Sequence, residues 1–187
     1  MNAPQPVDSM ECVQKKKRDE TLQRFLFVGA LVAFSLFASL AQSDVSSLRW
    51  HRWEEGVREA HVSRKFLLVD VFTLQCGRCN KMDHSVYVHP RVQELLAARF
   101  VPIKLNAESE TVVENGTDHY TERECAKLLK VNSYPTTLAF DSKFQLVARL
   151  NGYKDADTFI RFLQFVSGKH YERYSFDQYL KQVPPGN

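Results

Sequence analysis

The sequence predicts an α/β domain, a central mixed β-sheet flanked by helices, preceded by an N-terminal hydrophobic helix that targets the chain to a membrane. Two observations lead to this prediction. Strand-like and helix-like patterns follow one another as β–α–β, then α, then β–β–α, which is typical of a small mixed sheet with helices on both faces. Before them, residues 25–41 form an apolar run without a charged residue.

The N-terminal part divides into three predicted segments. Residues 1–24 are a basic leader, residues 25–41 a signal peptide or transmembrane anchor, and residues 42–49 a small polar linker. Because positive residues mark the cytoplasmic end of such a segment, we expect the following domain, residues 50–168, in the periplasm or another extracytoplasmic space. The apolar run is intermediate in length between the core of a signal peptide and a membrane-spanning helix. The segment is therefore either cleaved as a signal peptide or retained as a membrane anchor.

The distribution of charge argues against one class of function. The chain has 25 Lys and Arg residues against 22 Asp and Glu, but five of the basic residues and only four of the acidic ones precede residue 25. The remainder is nearly balanced, at 20 basic against 18 acidic residues. Since a nucleic-acid-binding domain needs a basic face or stripe, no nucleic-acid partner is expected.

Apolar spacing predicts the elements of the domain. Trp50, Trp53, Val57 and Ala60 recur at helical spacing, which predicts a first helix ending near His61. The polar stretch between the second strand and the next helix is predicted to be a loop, residues 106–120. Strands are predicted at 66–72, 101–105, 136–140 and 145–150, and helices at 80–87, 90–100, 121–130 and 159–168, with a short helix at 176–180 in the C-terminal tail, residues 169–187.

Cys76 and Cys79 are separated by two residues where the second helix is predicted to begin. The free N–H groups and the positive end of the helix dipole favour a thiolate at the first cysteine, and Arg78 adds a positive charge between the two. The second cysteine is close enough to form a disulfide with the first. We therefore predict that Cys76 attacks a substrate disulfide and that Cys79 resolves the mixed disulfide, without an organic cofactor.

Other uses of the two cysteines are less well supported. Covalent haem attachment requires a His after the second cysteine, where Asn80 stands, and a structural zinc site requires a second cysteine pair. No metal is predicted, although a copper or zinc site with His84 or His89 stays an alternative, as does an inert disulfide. Cys125 is predicted to face the core as a small apolar side chain, with a regulatory thiol as the alternative.

Three stretches resemble the thioredoxin family. The strand that contains Asp70 is followed, six residues after the acid, by Cys76-Gly77-Arg78-Cys79, which is similar to that family's signature. Residues 101–106 are similar to its next central strand, and Ser133-Tyr134-Pro135-Thr136 to the loop whose proline is cis. The resemblance covers residues 50–168 and implies a thioredoxin-like fold.

The resemblance implies a role for two residues beneath the cysteines. Asp70 would be the buried acid that accepts the proton of Cys79, with Lys104 as its partner. A desolvated carboxylate has a raised pKa and can act as a base near neutral pH, which agrees with that role. The alternative is a solvated acid at the end of a strand.

The resemblance also implies a substrate surface. Pro135 would fix the loop against which an extended substrate segment lies, and Tyr134 would shape that groove. Gly77 and Arg78, between the cysteines, would contact the substrate as well. The family usually has Gly-Pro at these two positions and an aromatic residue where this chain has Gln75, so the resemblance leaves the docking surface and the redox potential open.

A narrower resemblance is to the periplasmic thioredoxins of bacterial sulfur-oxidation systems. It rests on the loop 106–124, the Gly152-Tyr153 pair, the ending at 165–171, and the pairs Ser175-Phe176 and Tyr179-Leu180. It implies a reductase of disulfide-bearing partner proteins that draws electrons from a membrane thiol carrier, and that contacts the membrane if the N-terminal segment is uncleaved. A disulfide oxidase or isomerase on the same fold, and a non-enzymatic metal-binding or assembly module, are the alternatives.

Overall fold

The structure, a computed structural model, describes residues 48–115 and 118–182. The predicted leader, the hydrophobic segment and most of the linker, residues 1–47, lie outside the described residues. Within the part that is described, no helix has both the length and the apolar character to cross a membrane.

Six strands and six α-helices make up the described part of the chain. The central strands and both flanking helical layers were predicted, with ends that differ by a few residues. In chain order the elements are α1 (Trp53–Ser63), β1 (Phe66–Phe72), α2 (Gly77–Ser85), α3 (Pro90–Arg99), β2 (Phe100–Asn106), β3 (Val112–Asn115), β4 (Asp118–Thr121), α4 (Glu122–Leu128), β5 (Thr136–Phe140), β6 (Leu146–Asn151), α5 (Ala156–Ser167) and α6 (Phe176–Gln182).

A four-stranded mixed sheet forms the centre of the domain, in the order β2-β1-β5-β6. β1 and β2 are parallel, β5 is antiparallel to β1, and β6 is antiparallel to β5. The register places Asp70 beside Lys104 on one side and beside Thr137 on the other. The predicted mixed sheet is confirmed, and an acid lies at its centre.

Apolar side chains fill both faces of this sheet. One core lies between the sheet, α1, α4 and the β3–β4 hairpin, and it includes Trp53 and Ile103. The other lies between the sheet and α3, α5 and α6, with Phe159 and Phe162 fully buried. Helices therefore cover the sheet on both faces, as the order of elements predicted.

Local caps explain where two of the helices begin. At the start of α4, the Thr121 hydroxyl accepts the N–H of Glu124, and the Glu124 carboxylate accepts the N–H of Thr121. Together these two hydrogen bonds form a capping box. At the start of α5, Asp155 accepts the N–H of Thr158, and at its end Gly168 follows the last helical residue.

The prediction of a loop at 106–120 was wrong, because this stretch contains the antiparallel pair β3 and β4. Val113 is buried in the core beside α1, and it pairs with Tyr120, which packs against the same core. Three β-branched residues and one tyrosine are enough for a short hairpin that can cover an existing core. Among so many polar neighbours, they gave too weak a pattern to predict strands.

Gly56 lies on α1 where this helix packs against Ile103 of β2. A Cβ at this position would lie 2.4 Å from Ile103 Cγ1 and 2.6 Å from its Cδ1, and Ile103 is fully buried. We expect Gly56→Ala to lower the free energy of unfolding by roughly 1–2 kcal/mol, because the steric cost exceeds the gain in helix propensity. Urea denaturation measures this loss. In an Ile103→Ala background, which removes both carbons, the penalty should shrink; an equal penalty would contradict the steric explanation.

Candidate active site

The two predicted redox cysteines lie at the end of the loop that leaves β1. Cys76 is the N-cap residue of α2 and is joined to Cys79 by a disulfide, with 5.2 Å between the two Cα atoms. The sulfur of Cys76 also accepts the backbone N–H of Cys79 at 3.1 Å. Cys79 is only 2% exposed, whereas Cys76 is partly exposed. Cys76 is therefore the more accessible of the two to a partner.

Asp70 lies on β1 and is 1% exposed, the only charged residue that is buried within the described residues. Its Oδ2 accepts a hydrogen bond from Lys104 Nζ at 2.6 Å. Burial raises the pKa of Asp70, and the positive charge of Lys104 opposes that rise without cancelling it. The alternative of a solvated acid is excluded. Asp70 therefore binds a proton more readily than an exposed aspartate does.

Tyr87 adds a second buried polar group near Asp70. Burial raises the pKa of the Tyr87 hydroxyl well above its usual value, and the negative charge of Asp70 raises it further. The phenol is therefore neutral at any physiological pH. Sequence reasoning assigned Tyr87 to a helix and gave it no role; no spacing or motif marks it as a neighbour of Asp70.

Lys104 contacts a second acid that the sequence analysis did not single out. Its Nζ donates to the carboxylate of Asp83 on α2 as well as to Asp70 on β1. The rings of Trp50, Phe72 and Tyr87 surround the same nitrogen, with centroids 4.7 to 5.3 Å away. The predicted pair of Asp70 and Lys104 is thus part of a larger cluster. The sequence indicated this larger cluster only through the position of Asp83, which lies one helical turn after Cys79.

Trp50 was predicted on the first helix, and this was wrong. α1 begins only at Trp53, and Trp50 instead lies edge-on against Tyr87, with 4.8 Å between the ring centroids. Helical spacing of apolar residues does not distinguish a residue in the helix from one just before it that packs elsewhere. Trp50 therefore packs against the ammonium group of Lys104, next to Asp70, rather than on the buried face of α1.

The Tyr134–Pro135 peptide bond is cis, as the resemblance implied. Thr136, the next residue, pairs with Val71 near the carboxyl end of β1, so this loop lies at the same edge of the sheet as the cysteines. The carbonyl of Pro135 accepts the N–H of Gly152 at 2.7 Å, which fixes the loop to the end of β6. Pro135 is buried and Tyr134 is half-buried.

The surface around Cys76 is formed by exposed residues. Gly77 and Arg78 are both exposed, as a role in contacting substrate requires. Leu74, two residues before Cys76, is 70% exposed, and its backbone N–H donates to the carboxylate of Glu108 at 3.2 Å. Sequence reasoning missed Leu74, since one apolar residue in a short polar loop gives no pattern. Exposed residues therefore flank Cys76 on both sides in the sequence.

The remaining candidate positions lie elsewhere. Cys125 on α4 is fully buried, as predicted. His89 is the N-cap residue of α3 and accepts the N–H of Arg91, and His84 is exposed near the end of α2. Across residues 48–115 and 118–182, no three His, Cys, Asp or Glu side chains are grouped so that they could ligate one metal ion.

Comparison with known proteins agrees with this geometry. The family model of the thioredoxin-like domain matches this sequence over residues 53–167, more than half of the chain. A thioredoxin from Thermus thermophilus is 27% identical, with a TM-score of 0.55, and the match covers 64% of this chain and 87% of that one. A thioredoxin-fold protein from Helicobacter pylori is 17% identical, with a TM-score of 0.52, and the match covers 64% and 80%.

A curated relative extends the comparison to the archaea. An uncharacterized protein of Archaeoglobus fulgidus is 30% identical over 81 residues, which are 43% of this chain. The match spans 61% of that relative, less than two thirds of its length. With the family match over residues 53–167 and the disulfide-bonded pair at the start of α2, this chain belongs to the thioredoxin-like domain family.

Proposed function

We propose that the protein is an extracytoplasmic thiol–disulfide oxidoreductase that reduces the disulfides of partner proteins. The observation that carries this proposal is the Cys76–Cys79 disulfide, with one sulfur accessible at a helix start and a buried acid on the strand that leads to it. The likeness to the Thermus thermophilus thioredoxin, at 27% identity, supports the same chemistry.

The reaction begins from the dithiol form. The thiolate of Cys76 attacks one sulfur of a partner's disulfide; an S–S bond forms to Cys76, and the partner's other sulfur leaves as a thiolate. The N-cap position favours the attacking thiolate, because the N–H of Cys79 points at the Cys76 sulfur.

Resolution of the mixed disulfide completes the exchange. Asp70 accepts the proton of Cys79, and the Cys79 thiolate attacks the sulfur of Cys76. The bond between Cys76 and the partner breaks, and the partner's second sulfur leaves as a thiolate that takes up a proton. Two electrons have then passed from the cysteine pair to the partner, and the protein is left in the disulfide form that the structure shows.

A dithiol donor must return the protein to its reduced form by the reverse exchange. We propose a membrane thiol carrier as this donor, because the apolar run at 25–41 and the basic leader before it support a domain delivered across a membrane. The resemblance to the periplasmic thioredoxins of sulfur-oxidation systems supports the same placement. If residues 25–41 are retained as an anchor, donor and protein share one membrane.

The direction of electron flow is tested by the reduction potential of the cysteine pair. The protein is equilibrated with glutathione buffers, and the alkylated thiols are counted by mass spectrometry. We expect a value near the roughly −270 mV of thioredoxin. A value near about −120 mV would overturn the reductase direction and favour a disulfide oxidase. Stoichiometric zinc or copper with no exchange of insulin disulfides would favour the metal-binding module instead.

A further inference from the structure

The ammonium group of Lys104 lies between two carboxylates on different elements. It donates to Oδ2 of Asp70 on β1 at 2.6 Å and to Oδ1 of Asp83 on α2. The side chains differ sharply in exposure, at 1% for Asp70, 22% for Lys104 and 38% for Asp83. One positive charge therefore serves a buried acid and a solvent-facing acid at the same time.

Aromatic rings limit where this ammonium group can go. Trp50 lies 4.7 Å from Nζ, Tyr87 5.0 Å and Phe72 5.3 Å, each measured to the ring centroid. The faces of the rings attract the cation but accept no conventional hydrogen bond from it. Its strong acceptors are the two carboxylates, so the strength of its bond to one depends on the presence of the other.

We propose that Asp83 is a positioning residue for disulfide exchange: it holds one side of the Lys104 ammonium, so that Asp70 is only partly neutralised and stays able to accept the proton of Cys79. This inference rests on the proposed function. An ammonium group bound to Asp70 alone would stabilise its carboxylate and make it a weaker base. The negative charge of Asp83 acts on Asp70 in the same direction.

The position of Asp83 in the chain gives the contact a second effect. Asp83 lies one turn after Cys79 on α2, whereas Lys104 lies on β2, so their ion pair ties the helix that carries the cysteines to the central sheet. The polar and charged groups that act on Asp70 are Lys104 from β2, Asp83 from α2 and Tyr87 from the segment after α2, with Thr137 beside it on β5.

Titration of Asp70 tests the inference without any substrate. The carboxyl carbon of Asp70 is followed by NMR in the full chain, oxidised and kept in detergent, and Asp70→Asn identifies its signal. We expect Asp83→Asn to move the titration of Asp70 to lower pH by about one unit, because a like charge is lost and Lys104 is no longer shared. Asp83→Glu keeps a carboxylate and should restore the original titration.

The pH profile of insulin reduction provides the kinetic test. In Asp83→Asn we expect the acid limb to move to lower pH by about one unit and the maximal rate to fall roughly threefold, because a weaker base accepts the proton of Cys79 more slowly. The matched control is Glu94→Gln, which removes an exposed acid paired with Arg91 at 2.7 Å on α3. It should change neither the titration of Asp70 nor the profile.

A role limited to stability would give a different result. If Asp83→Asn lowers the urea midpoint but leaves the titration of Asp70 and the acid limb in place, the inference is overturned. Failure of Asp83→Glu to restore the titration overturns it as well. If the unmodified protein exchanges no disulfides, the proposed function fails, and the titration alone then decides whether Asp83 controls Asp70.

Discussion

Replacing Cys76 with serine should reduce the rate of insulin-disulfide reduction by dithiothreitol to the uncatalysed rate. The mechanism requires a thiolate that a partner can reach, and Cys79, at 2% exposure, is too buried to substitute for Cys76. A serine hydroxyl stays protonated at neutral pH and forms no disulfide, so the first step is lost entirely. The turbidity of precipitating insulin chains measures the rate.

The matched variant Cys79→Ser should behave differently. It keeps the attacking sulfur and lacks the resolving one, so a mixed disulfide with the partner accumulates at one partner per chain. Non-reducing electrophoresis should show these adducts for Cys79→Ser and none for Cys76→Ser. The opposite pattern would contradict the roles assigned to the two sulfurs. The trapped proteins would also identify the partners.

The centre of the sheet could be predicted from the sequence because β1 and β5 are rich in strand-forming residues and almost fully buried. In residues 66–72 and 136–140, β-branched and aromatic residues dominate, and burial on both faces leaves few polar positions. The charged Asp70 inside such a run was therefore conspicuous. Its buried environment could be predicted from the same run, whereas its pairing with Lys104 came only from the resemblance to a family.

The rest of the site could not be predicted because it depends on tertiary contacts. Lys104 contacts Asp83 and Trp50, which lie in other parts of the chain, and no local pattern indicates that the three residues converge. The β3–β4 hairpin shows the same limit, since Val113 is held by a core built from other elements. Sequence reasoning found the groups with a local signature, namely the two cysteines and the buried acid.

Asp70→Asn should slow insulin reduction while making the protein more stable at neutral pH. The variant has no base to take the proton of Cys79, and this proton must then pass to water. We therefore expect the rate of insulin reduction to fall about 10²-fold. The fold should tolerate the change, because asparagine has nearly the same shape and Lys104 keeps Asp83 as a partner. Turnover and urea unfolding of the same preparation measure both effects.

The gain in stability follows from the direction of the pKa shift. Burial raises the pKa of Asp70 in the folded protein, so between the usual aspartate pKa and that raised value the folded state binds more protons than the unfolded state. Stability then falls as pH rises through this window, and the asparagine variant should lack this fall. A variant that is less stable at neutral pH would show that the ion pair with Lys104 outweighs the cost of burying the charge.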